Sequence, residues 1–547
     1  MLVNRSSLAG IFAVSSLALA ACSNPNAHQA QNTGTTTIEQ MVAVQAPSGT
    51  PAVEFEWADG PTAAEDRPIA PIEWAKDDKI IMAHLDLGNV SVGDFSLPVR
   101  GTLASSNDQS GPKPLIIVSH LRAPGCTGEN YAYPCPGGTE EIRYDRGMNY
   151  LAADLAAQGY SVLIPDLAPA FIGVDATTPY SQAEAWTKVV QTLLEADSAA
   201  SYLPQIDTDQ VGLLVHSRSA GLITAANELL GDKLKGVMAF GSYFTTETAD
   251  EFAQPLPDVP YLALTGELDS DVKSAGNRYL TRYLGQERTT PAYEGRVEGL
   301  GHMYINRAMS VAGMDDRIGC DVLDCPDAAT HEQALTETAL GWFGQIMPTA
   351  ATQARTKSSN DASTLVTESS APLPILFPEQ VTGLDVRWLA ATPGFSVTRL
   401  AATDLEATGG QVCVLAENVV ATPAGPCDEP EAGVAESTVP VLAFTETSIS
   451  GTWPAADGLA LHVLPLGAPS KEQGLTVTLT TDRGDFTTTI SGTHPALASR
   501  VTDYSDGYYM PSTVRLALPQ DLRGATLTGI TLQGGDTTFA LAGVDIW

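Results

Sequence analysis

Basic side chains are scarce: 29 lysines and arginines face 64 aspartates and glutamates in 547 residues, a formal charge of −35. Gripping a phosphate backbone takes clustered lysine and arginine, so this balance excludes DNA or RNA as a natural partner and disfavours anionic polymers as substrates. Cysteine is scarce too, with seven in the chain. None of the spacings is C-x-x-C and no cysteine pair has a histidine pair beside it, which argues against zinc. No metal and no cofactor is expected. Beyond the N-terminus, no apolar run approaches the roughly 20 residues that a membrane-spanning helix needs.

What is present starts with that N-terminus. Arg5 precedes an apolar stretch from Leu8 to Ala21, which ends in L-A-A-C at Cys22. The stretch is short for a spanning helix and resembles a bacterial lipoprotein signal, with cleavage before Cys22 and acylation of that residue. Such a signal implies a lipid-anchored protein of the cell envelope, in contact with the membrane through its lipid. Ser23 is compatible with the outer membrane. An ordinary secretory signal and an N-terminal membrane anchor are the alternatives. Six cysteines remain as local pairs, Cys126 with Cys135, Cys320 with Cys325, and Cys413 with Cys427. Short-range bridging within each loop is the economical pairing in an oxidising compartment.

A chain of this length exceeds one compact core, so two folded domains plus tails are expected. Residues 1–21 read as signal and 22–75, rich in Ala, Thr, Gln and Pro, as a tether. From 76 to 348 short apolar runs alternate with helical stretches. P-L-I-I-V-S-H (114–120), Y-S-V-L-I-P-D (160–166), V-G-L-L-V-H (211–216), K-G-V-M-A-F (235–240) and P-Y-L-A-L-T (260–265) are strands. Helices are expected around 150–158, 181–202 and 331–347. That alternation predicts a mainly parallel sheet flanked by helices. Residues 349–372, dominated by Thr, Ala and Ser, read as a linker. From 373 to 547, runs such as T-V-T-L-T-T and T-F-A-L-A-G-V-D-I predict an all-β sandwich of jelly-roll type.

The chemistry-bearing residues lie in the first of these domains. In V-G-L-L-V-H-S-R-S-A-G (211–221) an apolar strand stops at Ser217 and restarts as a small-residue helix, as a nucleophile elbow does. The positions two before and two after, usually Gly, hold Val215 and Ser219. A shifted frame makes Ser219 the nucleophile instead. Asp269, after the strand P-Y-L-A-L-T, is the candidate acid, with Asp271 its rival; either can also cap the following helix. His302, after the strand-like R-V-E-G-L-G-H, is the candidate base. Its weight comes from chain order, since the other histidines can be ordinary strand, loop or tail residues. The oxyanion donors would be the Arg218 amide and that of Leu121 or Arg122. The Arg122 side chain either grips a carboxylate on the substrate or lies solvated.

The run H-L-R-A-P-G-C…Y-P-C-P-G-G-T…Y-D-R-G-M-N-Y-L-A-A-D-L-A-A-Q-G-Y-S-V-L-I-P resembles a family of secreted bacterial α/β-hydrolases. H-S-R (216–218), D-S-D-V (269–272), G-H-M-Y (301–304) and C-P-D (325–327) match that family's elbow, acid, base and late-loop segments. The wider clan contains dienelactone-hydrolase-like, platelet-activating-factor-acetylhydrolase-like and polyester-hydrolase-like esterases. The resemblance implies an α/β-hydrolase fold followed by a β-domain, and hydrolysis of a small, lipid or polymeric ester by a Ser-Asp-His triad. The departures are Val215 and Ser219 at the elbow and Leu121 in place of a glycine after the histidine. Two other readings stand beside it: a serine peptidase on the same fold, and an inactive surface binding protein that kept the scaffold. The loop T-D-Y-S-D-G-Y-Y (502–509) offers acids and aromatics for carbohydrate, although a polar turn with packing tyrosines explains it as well.

Overall fold

The computed structural model describes residues 36–44, 72–108, 110–128, 131–172, 180–197, 206–243, 257–269, 271–272, 288–297, 299–311, 326–358, 365–366, 375–376, 381–388, 397–416, 438–498, 500–501, 508–509 and 512–547. Cys22, Cys320, Cys325, Cys427 and most of the 502–509 loop lie outside them.

The expected strands become a 10-stranded mixed sheet. Its members are β1 (Glu73–Lys76), β2 (Ile80–Val92), β3 (Phe95–Ser106), β4 (Lys113–Ser119), β5 (Ser161–Pro165), β6 (Ile206–His216), β7 (Leu234–Phe240), β8 (Tyr261–Gly266) and β9 (Ala292–Val297), plus strand Val381–Trp388. They lie in the order β1-β2-β3-β5-β4-β6-β7-β8-β9, with Val381–Trp388 beside β9. From β5 to β9 neighbours run parallel; β1, β2, β3 and Val381–Trp388 pair antiparallel.

Both faces of the parallel part are covered, which explains why its strands are apolar throughout rather than alternating. Leu115, Ile117, Leu213, Val215, Val237 and Ala239 point to one side, into a cluster with Trp186, Val189, Val190 and Leu193 of helix Gln182–Asp197. Ile116, Val118, Leu214, Met238, Phe240 and Leu264 point to the other. There they meet Leu151 and Leu155 of helix Asn149–Ala157 and Leu335, Trp342 and Phe343 of helix Ala328–Ile346. The period of two along each strand sorts these residues between the layers.

The C-terminal part is antiparallel. A 6-stranded sheet contains Gly458–Pro465, Ser512–Ala517 and Phe539–Ile546, and a 5-stranded sheet contains Leu475–Thr481 and Ala525–Gln533. One apolar cluster lies between them, with Leu461, Val463, Val477, Leu479, Leu527 and Leu541 at its centre.

Three stretches depart from the sequence expectations. Within the expected tether, Ile38–Val42 is a helix with a capping box between Thr37 and Gln40. Its apolar residues Ile38, Met41 and Val42 recur at helical spacing and join the core. Asn149 and Arg307 donate to the Met41 and Val42 carbonyls. Within the expected linker, Ala350–Ser358 is helical, and Thr349 Oγ1 donates to Gln158 O at 2.6 Å. Within the expected β-domain, Val381–Trp388 extends the sheet of the first domain instead. The two helices are too short for composition to reveal them, and the strand's choice of sheet is not written in its own pattern; each segment is organised by a partner distant in sequence.

Of the expected disulfides, Cys126–Cys135 is formed. Cys413 is disulfide-bonded, with its partner outside the described residues. Among the described residues no helix is long and apolar enough to cross a membrane.

Candidate active site

The register of the parallel strands decides which residues can meet. Ser119 of β4 lies beside Val215 of β6, which lies beside Ala239 of β7. The next residues, His120, His216 and Phe240, are therefore level at the carboxyl edge, where open α/β sheets gather their ligands. The chain turns sharply after His216 and Phe240, where Ser217 and Gly241 have positive φ. Ser217 leaves β6 with φ at +56°, a left-handed conformation that a serine adopts only when its surroundings enforce it. Its carbonyl accepts from Tyr243 N at 3.0 Å, and the segment Ser217–Leu222 then winds into helix Ile223–Leu230. Val215 is accommodated because its side chain points into the core, away from the turn. Ser219 is wholly buried and its Oγ donates to His120 O at 2.5 Å.

Asp269 and His302 come together. The Asp269 carboxylate, closed off from solvent, meets His302 Nδ1 at 2.8 Å through Oδ2 and accepts from Val272 N at 3.0 Å through Oδ1. Asp271 lies on the other side of the same ring, 3.6 Å from Nε2, with its side chain 53% exposed. Gly241 backs this pair with φ at +51°. A Cβ there would sit 2.7 Å from His302 Nδ1 and 3.0 Å from Asp269 Oδ2. The elbow and the imidazole are joined through His216, the residue before Ser217. Its Nε2 donates to His302 O at 2.9 Å, and the two rings lie 4.9 Å apart.

Three histidines that read as ordinary in the sequence turn out to hold this edge together. His216 is kept neutral, its pKa pushed well below the usual value first by burial and then by His302. His331, on helix Ala328–Ile346, accepts from Gly301 N at 2.9 Å through Nε2, while its Nδ1 lies 3.0 Å from Asp327 O. That fixes the loop that carries His302, and burial lowers the His331 pKa. His120 Nε2 accepts from Leu167 N at 2.8 Å, so the proton sits on Nδ1, 2.8 Å from Leu121 O. Burial also lowers its pKa. The place of His120 and His216 at the ends of parallel strands was the available signal, whereas His331, on a helix, carried none.

Asp166, 3.9 Å from His120 Nε2, belongs to a largely buried ionic frame. Arg100 meets Asp166 at 2.7 Å and Glu141 at 2.6 Å, and Arg143 grips Asp145 with two bonds of 2.8 and 2.7 Å. The Arg122 guanidinium stacks on Tyr131 at 4.2 Å and that of Arg218 on Tyr243 at 5.2 Å. Burial lowers the Arg122 pKa, with Tyr131 and Tyr243 opposing. Among the described residues no group of three His, Cys, Asp or Glu is placed to hold a metal ion.

No protein-family model and no curated protein matches the chain. Solved structures similar to it include a dienelactone hydrolase-like promiscuous phosphotriesterase from metagenomic libraries, 15% identical, covering 48% of this chain and 96% of that one, TM-score 0.32. Two structures of an esterase designated Est22 are 14% and 13% identical, cover 44% and 46% of this chain and 80% and 79% of theirs, and both have a TM-score of 0.28.

Proposed function

We propose that this protein is a serine hydrolase cleaving carboxylic esters through an acyl-enzyme intermediate. The observation that carries the reading is the buried Asp269–His302 pair, 2.8 Å apart, held against the residue that precedes a serine at φ +56°. With its proton on Nδ1 facing Asp269, the imidazole has Nε2 as its base. Ser217 Oγ gives its proton to Nε2 and attacks the ester carbonyl. The oxyanion is received by the Arg218 amide and by that of Leu121 or Arg122. Nε2–H then protonates the departing alcohol, and water releases the acid by the same route. The strand order around β5 and β4, and the placement of all these residues after carboxyl ends of parallel strands, support an α/β-hydrolase assignment for the first domain. Two antiparallel sheets packed face to face support a sandwich for the second, with a jelly-roll course as the finer reading.

A fluorophosphonate probe tests the reaction class. It should label the purified protein and Ser217→Ala should abolish labelling. A wild type that never labels and cleaves no nitrophenyl ester would leave the inactive binding protein as the better reading. Export with acylation at Cys22, placing the enzyme on the cell envelope and specifically the outer membrane, completes the proposal. Incorporation of labelled palmitate by the producing cell, lost in Cys22→Ala, is the check; a wild type that takes up no label overturns it.

A further inference from the structure

Building on the ester-hydrolase reading above, we propose that Ser219 is a positioning residue whose hydroxyl, together with His120, aims the oxyanion amides of Leu121 and Arg122. Ser219 occupies a place where an elbow usually carries glycine, and a glycine could not do what it does. Its Oγ donates to His120 O. In a trans peptide the carbonyl of one residue and the amide of the next point in opposite directions. Holding His120 O therefore fixes where Leu121 N–H points. The next peptide is fixed in the same manner. Because His120 Nε2 accepts from Leu167 N, the ring carries its proton on Nδ1 and donates it to Leu121 O. That sets the direction of Arg122 N–H.

The clamp is anchored at both ends. Ser219 and His120 are wholly buried, and Leu167 follows Asp166, which Arg100 holds at 2.7 Å. Neither hydrogen bond is open to exchange with water, so the two peptide planes share one orientation with the elbow. Oxyanion stabilisation depends on donors already pointing at the charge before it develops. The Ser219 hydroxyl is how this chain preorganises them without the flanking glycine.

The test uses the purified full-length protein, with nitrophenyl acetate as substrate and a fluorophosphonate as label. Ser219→Ala and Ser219→Gly should lower kcat by about 10- to 100-fold, a fraction of what a lost oxyanion donor costs, with KM moving less than about threefold. Binding of a trifluoromethyl ketone, which forms the tetrahedral oxyanion, should weaken in parallel. Ser219→Thr, which keeps the hydroxyl, should recover most of the loss. If the alanine variant does not fold, Ser219→Cys, near in size and a weaker donor, should show the same kcat-selective fall at smaller scale. A Ser219→Ala enzyme turning over within twofold of wild type overturns the proposal, as does a rise in KM at constant kcat. Labelling that survives Ser217→Ala but not Ser219→Ala overturns it differently, by making Ser219 the nucleophile. A wild type inert to probe and ester overturns the hydrolase reading and this inference with it.

Discussion

Replacing Gly241 by alanine should disable the site while leaving the fold intact. The added Cβ would lie 2.7 Å from His302 Nδ1, 2.8 Å from Cε1 and 3.0 Å from Asp269 Oδ2. Ordinary contact begins at 3.4 Å, so the imidazole must retreat by about 0.7 Å, the difference between the two distances. The backbone cannot yield instead, because Gly241 N donates to Leu264 O at 2.8 Å within the sheet edge. A displacement near 1 Å in reacting groups costs on the order of 10² in rate, so kcat/KM should fall by about 10- to 100-fold. The left-handed φ of +51° adds a stability cost of roughly 1–2 kcal/mol for a residue with a Cβ. The assay is nitrophenyl acetate turnover alongside a thermal melt. Gly221→Ala serves as control, since its Cβ meets nothing within 4 Å. A Gly241→Ala protein that melts a few degrees lower yet retains wild-type kcat/KM would refute the claim that the Asp–His pair works in the position described.

Asp269→Asn should cut kcat by about 10³–10⁴, because an amide facing Nδ1 favours the wrong tautomer, whereas Asp271→Asn should cost less than about tenfold; equal losses in steady-state kinetics would show that both carboxylates serve the base. Acid should destabilise the fold before it protonates the carboxylates. His84, buried and beside Arg146, has its pKa lowered from 6.5 to about 4. The unfolded chain therefore takes up a proton that the native state refuses, and stability falls as pH drops from 6.5 towards 4, by on the order of 3 kcal/mol. His120, His216 and His331 are lowered in the same direction by burial. Asp145 acts only further down: burial opposes its ionisation, Arg143 outweighs that, and its pKa falls to about 2. Urea unfolding at pH 7 and pH 5 should show the loss, and equal midpoints would refute it. Replacing Cys126 and Cys135 by serine opens a loop with a sequence separation of 9. That should lower stability by roughly 2.6 kcal/mol in the chain-entropy account, and an unchanged melting temperature would contradict it.

The strands of the parallel sheet were legible because burial on both faces demands uninterrupted apolar runs. Thus P-L-I-I-V-S-H predicted Lys113–Ser119, and K-G-V-M-A-F predicted Leu234–Phe240, within a residue or so. The strand before His302 ends earlier than R-V-E-G-L-G-H suggests, at Val297, while the Gly pair before the histidine suits the loop observed there, with Gly299 at φ +72°. Helix Ile38–Val42 was invisible because a single turn has too few residues to carry a period and takes its stability from the partner it docks on. Strand Val381–Trp388 falls where β structure is expected, but its pairing with β9 is not written in its own pattern.

By itself the sequence determined the alternation of buried strands and helices, the carboxyl-edge location of Ser217, Asp269 and His302, and the split into an α/β part and an all-β part. These follow from local pattern and chain order. Tertiary structure alone decided which carboxylate faces Nδ1, which serine hydroxyl is spent on a backbone carbonyl, and which histidines pin the loops. Such choices rest on strand register and on hydrogen bonds between residues as far apart as Ser219 and His120, or His331 and Gly301. No pattern along the chain encodes them, because the partners become neighbours only when the sheet is assembled.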